Sequence, residues 1–592
     1  MRRTRPVRGR RGALRGSPQL RLRVGFVLIA MVLSVFGGRL VQLQGLDPGS
    51  YAAMAAAEGT QDVVLPARRG DILDRNGEPL ANSVDGLMVV ADPKLTAEQA
   101  PEIATFLARR LDVDYPSTLE RLREAGSRFE YIARQVPSTL ANDVVSEARE
   151  RGYDGILTRR DPVREYPAGD VAANIVGALG TPDPEKGDQP LLGLELAFHH
   201  WLAGKDGSAR YEVGGGNKLP LGDNLKVAPV DGKDLRTTID REMQWYAQRV
   251  LRQTVQTSRA ESGFAVVMDS RTGDILALAD HPTFDANSPE LADKGSRVSR
   301  ALGDVYEPGS VEKVLTAAAL IDAGKVTART RITVPPQLQR QDSPIGDWFD
   351  HGEIKLTLAG VIAKSSNIGT VLAADNFEPG QLRDYLVDFG LGARTGLGVP
   401  GESGGILPSG SLWTDQTEDR IAFGQALSVN AVQMAAAVNT IANGGVRVDP
   451  NIIQGTAELP DGTEVGTDTA TRRRVVSEDA ARQTMKMMER VIDPDAGVAP
   501  AAAVPGYRVA GKTGTAQRAV AGGYNGFTVS FAGFAPADDP RFTVYVVVQD
   551  PANGGGGGSV AGPAFSKLMG YALGRYGVPP TGTRPSRLPV EW

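Results

Sequence analysis

A serine and a lysine lie one helical turn apart in Glu307-Pro-Gly-Ser-Val-Glu-Lys313, directly before the apolar run Val314–Ile321. The apolar run predicts a helix and Pro308-Gly309 predicts the loop that opens it, so Ser310 and Lys313 share one face of the first turn. A serine hydroxyl attacks poorly unless a neighbour takes its proton, and a desolvated lysine can do so as a neutral amine. The helix N-terminus would favour the oxyanion of acyl transfer. Taken alone, Ser-x-x-Lys more often marks an N-cap serine beside an exposed lysine.

A second pattern is Lys364-Ser-Ser-Asn-Ile-Gly369, in which Ser365 lies 55 residues after Ser310. The hydroxyl of Ser365 and the amide of Asn367 are two residues apart on a predicted tight turn. They could relay a proton and hold a substrate carbonyl. Serine and asparagine are also ordinary turn residues, so this pattern is weak when it stands alone.

A third pattern is Gly511-Lys-Thr-Gly-Thr515, at the end of a predicted strand. Lys512 would supply a fixed cation and Thr513 a hydroxyl, while Gly514 would let a ligand approach the backbone closely. The alternative is an edge strand that ends in a basic turn.

Composition excludes several other chemistries. The 592 residues include no cysteine, which rules out disulfides, thiolate metal sites and a cysteine nucleophile. Only four histidines are present, so a metal cage or a Ser-His-Asp triad has few candidates. Beyond residue 23 the chain carries 56 basic against 70 acidic side chains, which disfavours a nucleic-acid-binding body. An acyl-transfer site would therefore need a base other than histidine.

The three patterns occur together and in a fixed order, which changes their weight. Ser-x-x-Lys at a helix start, Ser-x-Asn in a helical region and Lys-Thr-Gly on a late strand are the signature elements of penicillin-binding proteins and class A β-lactamases. With these motifs, the chain resembles the class B penicillin-binding proteins, which are monofunctional peptidoglycan transpeptidases.

The resemblance extends over nearly the whole chain and is most similar to the division-specific (FtsI-type) members. The absence of a preceding glycosyltransferase module argues against the bifunctional class A enzymes. One departure is Glu312, where family members often have an apolar residue or an amide; we expect it to point away from the cleft. If it faced inward, it would raise the pKa of Lys313 and weaken it as a base. The segments that carry the likeness are Arg69–Gly77, Leu80-Ala81, Gly193–Glu195, Leu202–Gly204, Tyr306–Ser310, Lys364–Gly369, Phe423–Gln425 and Gly533–Ala535.

The resemblance implies a role for each candidate residue. Ser310 would attack the carbonyl between two terminal D-alanines, Lys313 would accept its proton, and Ser365 with Asn367 would pass the proton to the leaving D-alanine. Asn367 could instead brace its loop. The N–H groups of Ser310 and Thr515 would form the oxyanion hole. The substrate carboxylate would be held by the Lys-Thr-Gly-Thr segment, through Lys512, Thr513 and Thr515, with Gly514 between them. No cofactor or metal is expected.

The N-terminal region predicts a membrane anchor. Residues 1–23 contain nine arginines and no acid, and the uncharged run 24–38 continues through Arg39 to give a span at 24–44. The arginines place residues 1–23 in the cytoplasm by the positive-inside rule, with the rest of the chain extracytoplasmic. A cleaved signal peptide is the alternative, but no small-residue cleavage site closes the run.

The fold class is predicted as a multidomain α+β protein. An α+β pedestal of the penicillin-binding protein dimerisation type would occupy residues 45–235. A transpeptidase domain would follow at 258–575, with a five-stranded antiparallel sheet flanked by helices and a helical lobe inserted in mid-chain. The glycine run 554–558 is predicted to be a loop and residues 576–592 a flexible tail.

The function predicted from these features is D-Ala-D-Ala transpeptidation through an acyl-enzyme, in septal wall synthesis, with covalent inhibition by β-lactams. The alternatives are an elongation-specific transpeptidase, a membrane-bound β-lactam sensor, a β-lactamase, and a wall scaffold that has lost its chemistry. Expected partners are stem-peptide donors and amine acceptors, β-lactams, the membrane, a membrane glycan polymerase and other division proteins. No nucleic-acid partner is expected.

Overall fold

The computed structural model describes residues 18–42, 60–183, 187–214, 217–218, 225–340, 343–520 and 523–592. The expectations for residues 1–17 and for the stretch directly after the anchor lie outside these ranges. The chain divides into two compact units, and each is described by itself. The first comprises Met1–Leu65 with Asp206–Pro229, and the second comprises Pro66–Lys205 with Val230–Trp592.

The first unit contains the predicted anchor and a small antiparallel sheet. The helix runs from Pro18 to Val41, and its segment Leu22–Val41 is long and apolar enough to cross a bilayer, the one such segment in the described part of the chain. Its large apolar side chains are exposed, as a lipid-facing helix requires. The sheet strands are Thr60–Leu65, Gly207–Gly214, Asn217–Lys218 and Leu225–Val227.

The N-terminal part of the second unit is built from short strands and amphipathic helices. A three-stranded sheet with Gly86–Ala91 at its centre packs on two helices, and apolar residues spaced three and four apart on those helices form the core. The strands are Ile72–Leu73, Pro79–Val84, Gly86–Ala91, Glu130–Pro137, Ile156–Arg160, Val163–Glu165, Ala178–Asp183, Gly187–Leu192 and Leu235–Arg236. The helices are Pro93–Thr96, Ala100–Leu111, Tyr115–Arg121, Ser138–Glu150, Ala173–Val176, Gly193–Ala197 and His199–Leu202, with a 3₁₀ turn at Ala97–Gln99.

Two of the segments that carried the family likeness meet in a buried ion cluster in this part. The Glu195 carboxylate is fully buried and accepts hydrogen bonds from Arg69 Nε and Arg164 Nε, each at 2.7 Å. A buried carboxylate needs such paired donors to offset its lost hydration. The cluster gives these residues a structural role, because it joins separate segments of the chain.

A five-stranded antiparallel sheet forms the centre of the C-terminal part, as predicted. Its order is Ile275–His281, Ser262–Asp269, Phe542–Gln549, Gly523–Ala535 and Ala510–Val520. Two of the three inner strands, Ser262–Asp269 and Phe542–Gln549, are buried at every position, so helices cover both faces of the sheet. The strand Ala510–Val520, which carries Lys-Thr-Gly, is at one edge, and we call it the edge strand.

Helices cover this sheet in two groups. Arg241–Ser258 and Gly557–Arg575 contact each other and the sheet, and the inserted lobe supplies the second group. The lobe contains the helices Lys313–Asp322, Leu358–Lys364, Asn367–Ala374, Gln381–Asp388, Asp415–Ile421, Ala431–Ala442 and Glu478–Glu489. Short strand pairs join them: Arg331–Val334 with Ile354–Thr357, Val446–Val448 with Arg472–Arg474, and Ala457–Glu458 with Glu464–Val465. Before the lobe lie Pro289–Leu291 (3₁₀), Lys294–Arg297 and Arg300–Gly303, and further 3₁₀ turns are Gly309–Val311, Gly410–Leu412 and Pro500–Ala502.

The last residues differ from the sequence expectation of a flexible tail at 576–592. The Thr357 amide donates to Val590 O at 3.0 Å, and Trp592 Nε1 donates to Leu356 O at 3.1 Å. Farther back, Tyr507 donates its hydroxyl proton to Val578 O. The tail therefore packs along the transpeptidase part. The glycine run also differs, because the last helix already begins at Gly557, inside the predicted loop.

Candidate active site

The serine and lysine of the first pattern lie on two consecutive elements. Ser310 is in a 3₁₀ turn, Gly309–Val311, which we call the catalytic turn, and Lys313 begins the α-helix Lys313–Asp322, which we call the catalytic helix. The sequence predicted both residues in the first turn of one α-helix. The tighter turn keeps them one turn apart, with Ser310 half-buried and Lys313 completely buried.

Lys313 is held by the second pattern. Its Nζ lies 2.7 Å from Ser365 O, 2.7 Å from Asn367 Oδ1 and 3.5 Å from Ser365 Oγ. Burial lowers the pKa of Lys313 to about 7, against opposing contributions from Asp347 and Glu312. A substantial fraction of Lys313 is therefore neutral near physiological pH, as a general base requires.

Lys512 reaches the same loop from the edge strand. Its Nζ donates to Ser365 Oγ at 2.8 Å and lies 3.1 Å from both the carbonyl and the hydroxyl oxygen of Thr513. Burial lowers the pKa of Lys512 well below its ordinary value, and repulsion from Lys313 lowers it further. The two lysines therefore do not both carry full charge at neutral pH.

The Ser365–Asn367 segment is the junction between two helices. Ser365 caps the C-terminus of Leu358–Lys364 in the left-handed conformation, with φ of 60°. Ser366 caps the N-terminus of Asn367–Ala374 by accepting from Gly369 N at 2.9 Å. This abrupt junction presents the carbonyl and hydroxyl of Ser365 and the amide of Asn367 to Lys313.

Asp347 supports that junction and was not predicted from the sequence. Its fully buried side chain accepts from Asn367 N at 2.5 Å, Ile368 N at 3.1 Å and Ser366 Oγ at 2.7 Å. His351 Nε2 lies 3.0 Å from the same carboxylate. An acidic group at a helix N-terminus stabilises the helix, and here it also fixes Asn367. Its partners at the junction are 19 to 21 residues away, so no local motif marks this role.

A cleft of about 270 Å³ opens beside the catalytic turn. Ser310, Asn367 and Thr515 line it, whereas Lys313, Ser365, Lys512 and Thr513 are buried and are not among its lining residues. The structure therefore brings all the predicted residues together but exposes only some of them. The remaining lining residues are Gly309, Ser343, Pro344, Ile345, Gly346, Arg420, Phe423 and Gln425.

The glycines around the catalytic turn serve close packing. A Cβ on Gly424, which has φ of +92°, would lie 1.9 Å from Gly309 O, and Gly309 N donates to Gly424 O at 2.9 Å. A Cβ on Gly514 would meet Ser530 Oγ at 2.3 Å and Pro308 O at 2.8 Å. Gly514 therefore has a packing role, because the catalytic turn and the neighbouring strand fill the space that a side chain would occupy; the approach of a ligand to its backbone stays a prediction.

Glu312 does not line the cleft, in agreement with its predicted direction, but it is not exposed either. It is completely buried, and Thr316 Oγ1 lies 2.8 Å and 3.0 Å from its two carboxyl oxygens. Burial raises the pKa of Glu312 well above its ordinary value.

Among the residues that the structure describes, no three His, Cys, Asp or Glu side chains are grouped so that they could hold a metal ion. The chemistry that the assembled side chains themselves can perform is acyl transfer. Ser310 presents a hydroxyl to the cleft, and the two buried lysines form a hydrogen-bonded network with Ser365.

Comparison with known proteins identifies two families along the chain. Residues 263–570 match the penicillin binding protein transpeptidase domain, and residues 64–237 match the penicillin-binding protein dimerisation domain. The chain is 34% identical to the penicillin-binding protein PbpB of Mycolicibacterium smegmatis, covering 98% of this chain and 94% of that protein. It is 31% identical to the peptidoglycan D,D-transpeptidase FtsI of Escherichia coli, covering 94% and 91%.

Solved structures agree with this similarity. Penicillin binding protein 3 of Mycobacterium tuberculosis in complex with aztreonam has a TM-score of 0.67 at 30% identity, covering 90% of this chain and 100% of that chain. A peptidoglycan synthetase of Bifidobacterium adolescentis has a TM-score of 0.71 at 30% identity, with the same coverage. The anticipated resemblance and the α+β fold with its five-stranded sheet are confirmed. The chain therefore belongs to the class B penicillin-binding proteins, the FtsI-like peptidoglycan D,D-transpeptidases.

Proposed function

We propose that Ser310 forms the acyl-enzyme from which this protein cross-links peptidoglycan stem peptides. Ser310 Oγ attacks the carbonyl between the two terminal D-alanines, and the amide C–N bond breaks to release D-alanine. The serine proton reaches the leaving amine through the lysine network. The amine of a second stem peptide then attacks the ester, forms the cross-link and returns the proton to Ser310.

Lys313 is the base in this proposal. The Lys313 amine is desolvated and donates to Ser365 O and Asn367 Oδ1, so the lone pair of its neutral form has a defined direction. Ser365 Oγ lies between the two lysine amines and can pass a proton between them. Asn367 both lines the cleft and donates to Gly346 O at 2.9 Å, so its substrate-contacting and bracing roles are compatible.

The edge strand would help to bind two negative charges, the oxyanion that forms during acyl transfer and the terminal carboxylate of the substrate. A Cβ on Gly309 would lie 3.0 Å from Thr515 O, so the catalytic turn and Thr515 are direct neighbours. Their N–H groups at Ser310 and Thr515 would form the oxyanion hole. Lys512, with the hydroxyls of Thr513 and Thr515, would bind the terminal carboxylate of the substrate. In a partly dry site this anion needs a cation, and the protonated amine of Lys512 would supply it.

The observation that carries the proposal is that two buried lysines converge on Ser365, and that one of them, Lys313, follows the cleft-lining Ser310 by three residues. It is tested by labelling the protein with a fluorescent penicillin, beside Ser310→Ala. Ser409→Ala is the matched control, because Ser409 is exposed and its side chain makes no capping hydrogen bond. We expect the protein and Ser409→Ala to label covalently and Ser310→Ala to remain unlabelled. Equal labelling of folded Ser310→Ala would contradict the assignment.

Transpeptidation is separated from β-lactam hydrolysis by the lifetime of the adduct. We expect a long-lived penicilloyl adduct, together with D-alanine release and cross-link formation from a D-Ala-D-Ala stem peptide and an amine acceptor. Rapid loss of label with turnover of penicillin would instead indicate a β-lactamase. The M. tuberculosis penicillin binding protein 3 has been solved with aztreonam and with ampicillin, which supports the expectation of β-lactam binding.

We also propose that this activity serves septal wall synthesis, with residues 1–23 in the cytoplasm and the catalytic domain outside. The similarity to FtsI supports the septal role, and nine arginines ahead of the apolar helix support the orientation. Depletion tests the septal role: filaments without septa are expected, whereas rounded cells that still divide would indicate an elongation role. Alkaline-phosphatase fusion after the catalytic domain tests the orientation, with an active fusion expected. Binding of a glycan polymerase and of other division proteins stays a prediction from the family.

A further inference from the structure

Glu312 is a completely buried acid placed between two residues of the catalytic motif, and its contacts are unusual. Among the described residues, no Lys, Arg or His forms an ion pair with it, since the amine of the adjacent Lys313 bonds to Ser365 and Asn367 instead. Its hydrogen-bonding partner is the hydroxyl of Thr316, one turn along the catalytic helix. An ionised carboxylate buried in this way would be costly, because no contact ion pair and only one hydroxyl donor compensate its charge.

The number of hydrogen atoms that Glu312 and Thr316 can share indicates, independently of burial, that Glu312 is protonated. Thr316 Oγ1 lies within 3.0 Å of three oxygens: both carboxyl oxygens of Glu312 and Ala422 O. A hydroxyl has one hydrogen, so with an ionised Glu312 it would satisfy one acceptor and leave the others without a donor. With a protonated Glu312, the carboxyl donates to Thr316 Oγ1 and Thr316 donates to Ala422 O. Each hydrogen then has its own acceptor.

Ala422 O, the last acceptor in this series of hydrogen bonds, belongs to a wall of the cleft. Ala422 directly precedes Phe423, which lines the cleft together with Gln425. Between these two, Gly424 O accepts from Gly309 N of the catalytic turn. The segment 422–425 is therefore hydrogen-bonded to the catalytic elements at two points, by Gly309 N to Gly424 O and by Thr316 Oγ1 to Ala422 O.

We propose that Glu312 is a positioning residue that stays protonated and, through Thr316, hydrogen-bonds the catalytic helix to Ala422 and so fixes the cleft wall 422–425. A neutral Glu312 also leaves Lys313 free of an adjacent negative charge. Of the two acids that can raise the pKa of Lys313, Glu312 and Asp347, Asp347 then acts alone, and a charge on Lys512 opposes protonation of Lys313. The role in catalysis rests on the proposed acylation of Ser310, whereas the protonation state does not.

The protonation state is tested by infrared difference spectroscopy of the whole protein against Glu312→Gln at pH 7.5. We expect a band of a protonated carboxyl C=O stretch that is present in the protein, shifts in D₂O and is lost in the variant. Other buried acids cancel in the difference. A difference that contains only ionised-carboxylate bands would overturn the proposal. This readout needs no acylation, so it stands even if Ser310 is not the nucleophile.

The positioning role is tested by the rate and pH profile of acylation by a fluorescent penicillin. Glu312→Gln keeps the shape and neutrality of the side chain and a hydrogen-bond donor for Thr316. We therefore expect it to be acylated at a rate within about twofold of that of the unchanged protein. The acid limb, which is the rise in rate on the low-pH side of the profile, should not move. Glu312→Ala and Thr316→Val interrupt the series of hydrogen bonds from Glu312 through Thr316 to Ala422. Each variant is expected to slow acylation about tenfold while leaving the acid limb in place.

Two outcomes would overturn the positioning role. If Glu312 were ionised, its replacement by glutamine would lower the pKa of Lys313 and move the acid limb to lower pH. If the chain of hydrogen bonds did not matter, folded Glu312→Ala and Thr316→Val would acylate at the rate of the unchanged protein. Should either of these two fail to fold, the profile of the near-isosteric Glu312→Gln still decides between a neutral and a charged Glu312.

Discussion

Lys313 and Lys512 approach one residue, Ser365, from different elements of the fold. Lys313 Nζ is 2.7 Å from Ser365 O, and Lys512 Nζ is 2.8 Å from Ser365 Oγ. Both lysines are completely buried, so each amine is desolvated and each disfavours a charge on the other. Protonation of one amine therefore opposes protonation of the other.

The first prediction concerns the pH dependence of acylation. Lys313 acts as a base only when neutral, and its pKa of about 7 means that the neutral fraction grows as pH rises through that value. The second-order rate constant with a fluorescent penicillin should therefore rise about tenfold between pH 6 and pH 8 and then level off. Stopped-flow labelling measures this, with Ser310→Ala as the background. A rate that is flat or falls over this interval would contradict a neutral lysine base.

The second prediction concerns Asp347→Asn. The charge of Asp347 raises the pKa of Lys313, so its removal should lower that pKa and move the acid limb of acylation to lower pH. Loss of the carboxylate acceptor at Asn367 N and Ile368 N should lower the free energy of unfolding by about 1–3 kcal/mol.

Asp350→Asn provides the matched control for this change, since Asp350 is an exposed acid in the same loop. It should alter neither the acid limb nor the denaturant midpoint. An acid limb that stays in place or moves to higher pH in Asp347→Asn would show that Asp347 does not act on Lys313.

The third prediction concerns Gly424→Ala. The new methyl group would lie 1.9 Å from Gly309 O, so the catalytic turn and the cleft wall must separate. We expect acylation to fall at least tenfold and the unfolding free energy to fall by about 2 kcal/mol or more.

Gly396→Ala separates that clash from backbone strain. Gly396 has φ of +83°, close to the +92° of Gly424, but no atom lies within 4 Å of the position of its Cβ. This control should lose stability by about 1 kcal/mol while acylating normally. Equal effects of the two variants on acylation would mean that the contact between Gly424 and the catalytic turn is unimportant.

The fourth prediction concerns Thr357, which joins the tail to the active site. Thr357 Oγ1 accepts from Gly360 N at 3.0 Å as the N-cap of Leu358–Lys364, the helix that ends at Ser365, and it donates to Pro589 O at 2.5 Å. Thr357→Val should cost about 0.5–2 kcal/mol of stability and slow acylation several-fold.

Ser477→Ala is the comparison, because Ser477 caps Glu478–Glu489, a helix that contributes no residue to the cleft lining. Thermal unfolding should show similar losses in both variants, and only Thr357→Val should acylate more slowly. A similar slowing in both would indicate a general loss of stability.

The sequence predicted the parts of the site that local chemistry marks. Alternating and continuous apolar runs indicated the five sheet strands, and the order of three short motifs brought Ser310, Lys313, Ser365, Asn367 and Lys512 into one site. The α-helix was expected to include Ser310, but it begins only at Lys313. Helix boundaries depend on how the first turn packs, which periodicity does not record.

The missed features depend on contacts between distant residues. Asp347 supports Asn367 from another loop, Thr357 contacts Pro589 across 232 residues, and Gly514 is required by Pro308 from the catalytic turn. Such contacts join single polar or small residues, so they leave no periodic pattern in the sequence. Glu312 could be recognised as unusual for its position, but its burial against Thr316 and Ala422 could only be found in the fold.

The docking of the tail has a genetic consequence. Pro589 O holds the hydroxyl that caps the helix leading to Ser365, and residue 589 lies 19 positions beyond the match to the transpeptidase family, which ends at residue 570. Substitutions that change sensitivity to β-lactams therefore need not arise within the recognised domain. A resistance survey that sequences only codons 263–570 would overlook them, and selection experiments should read the gene through codon 592.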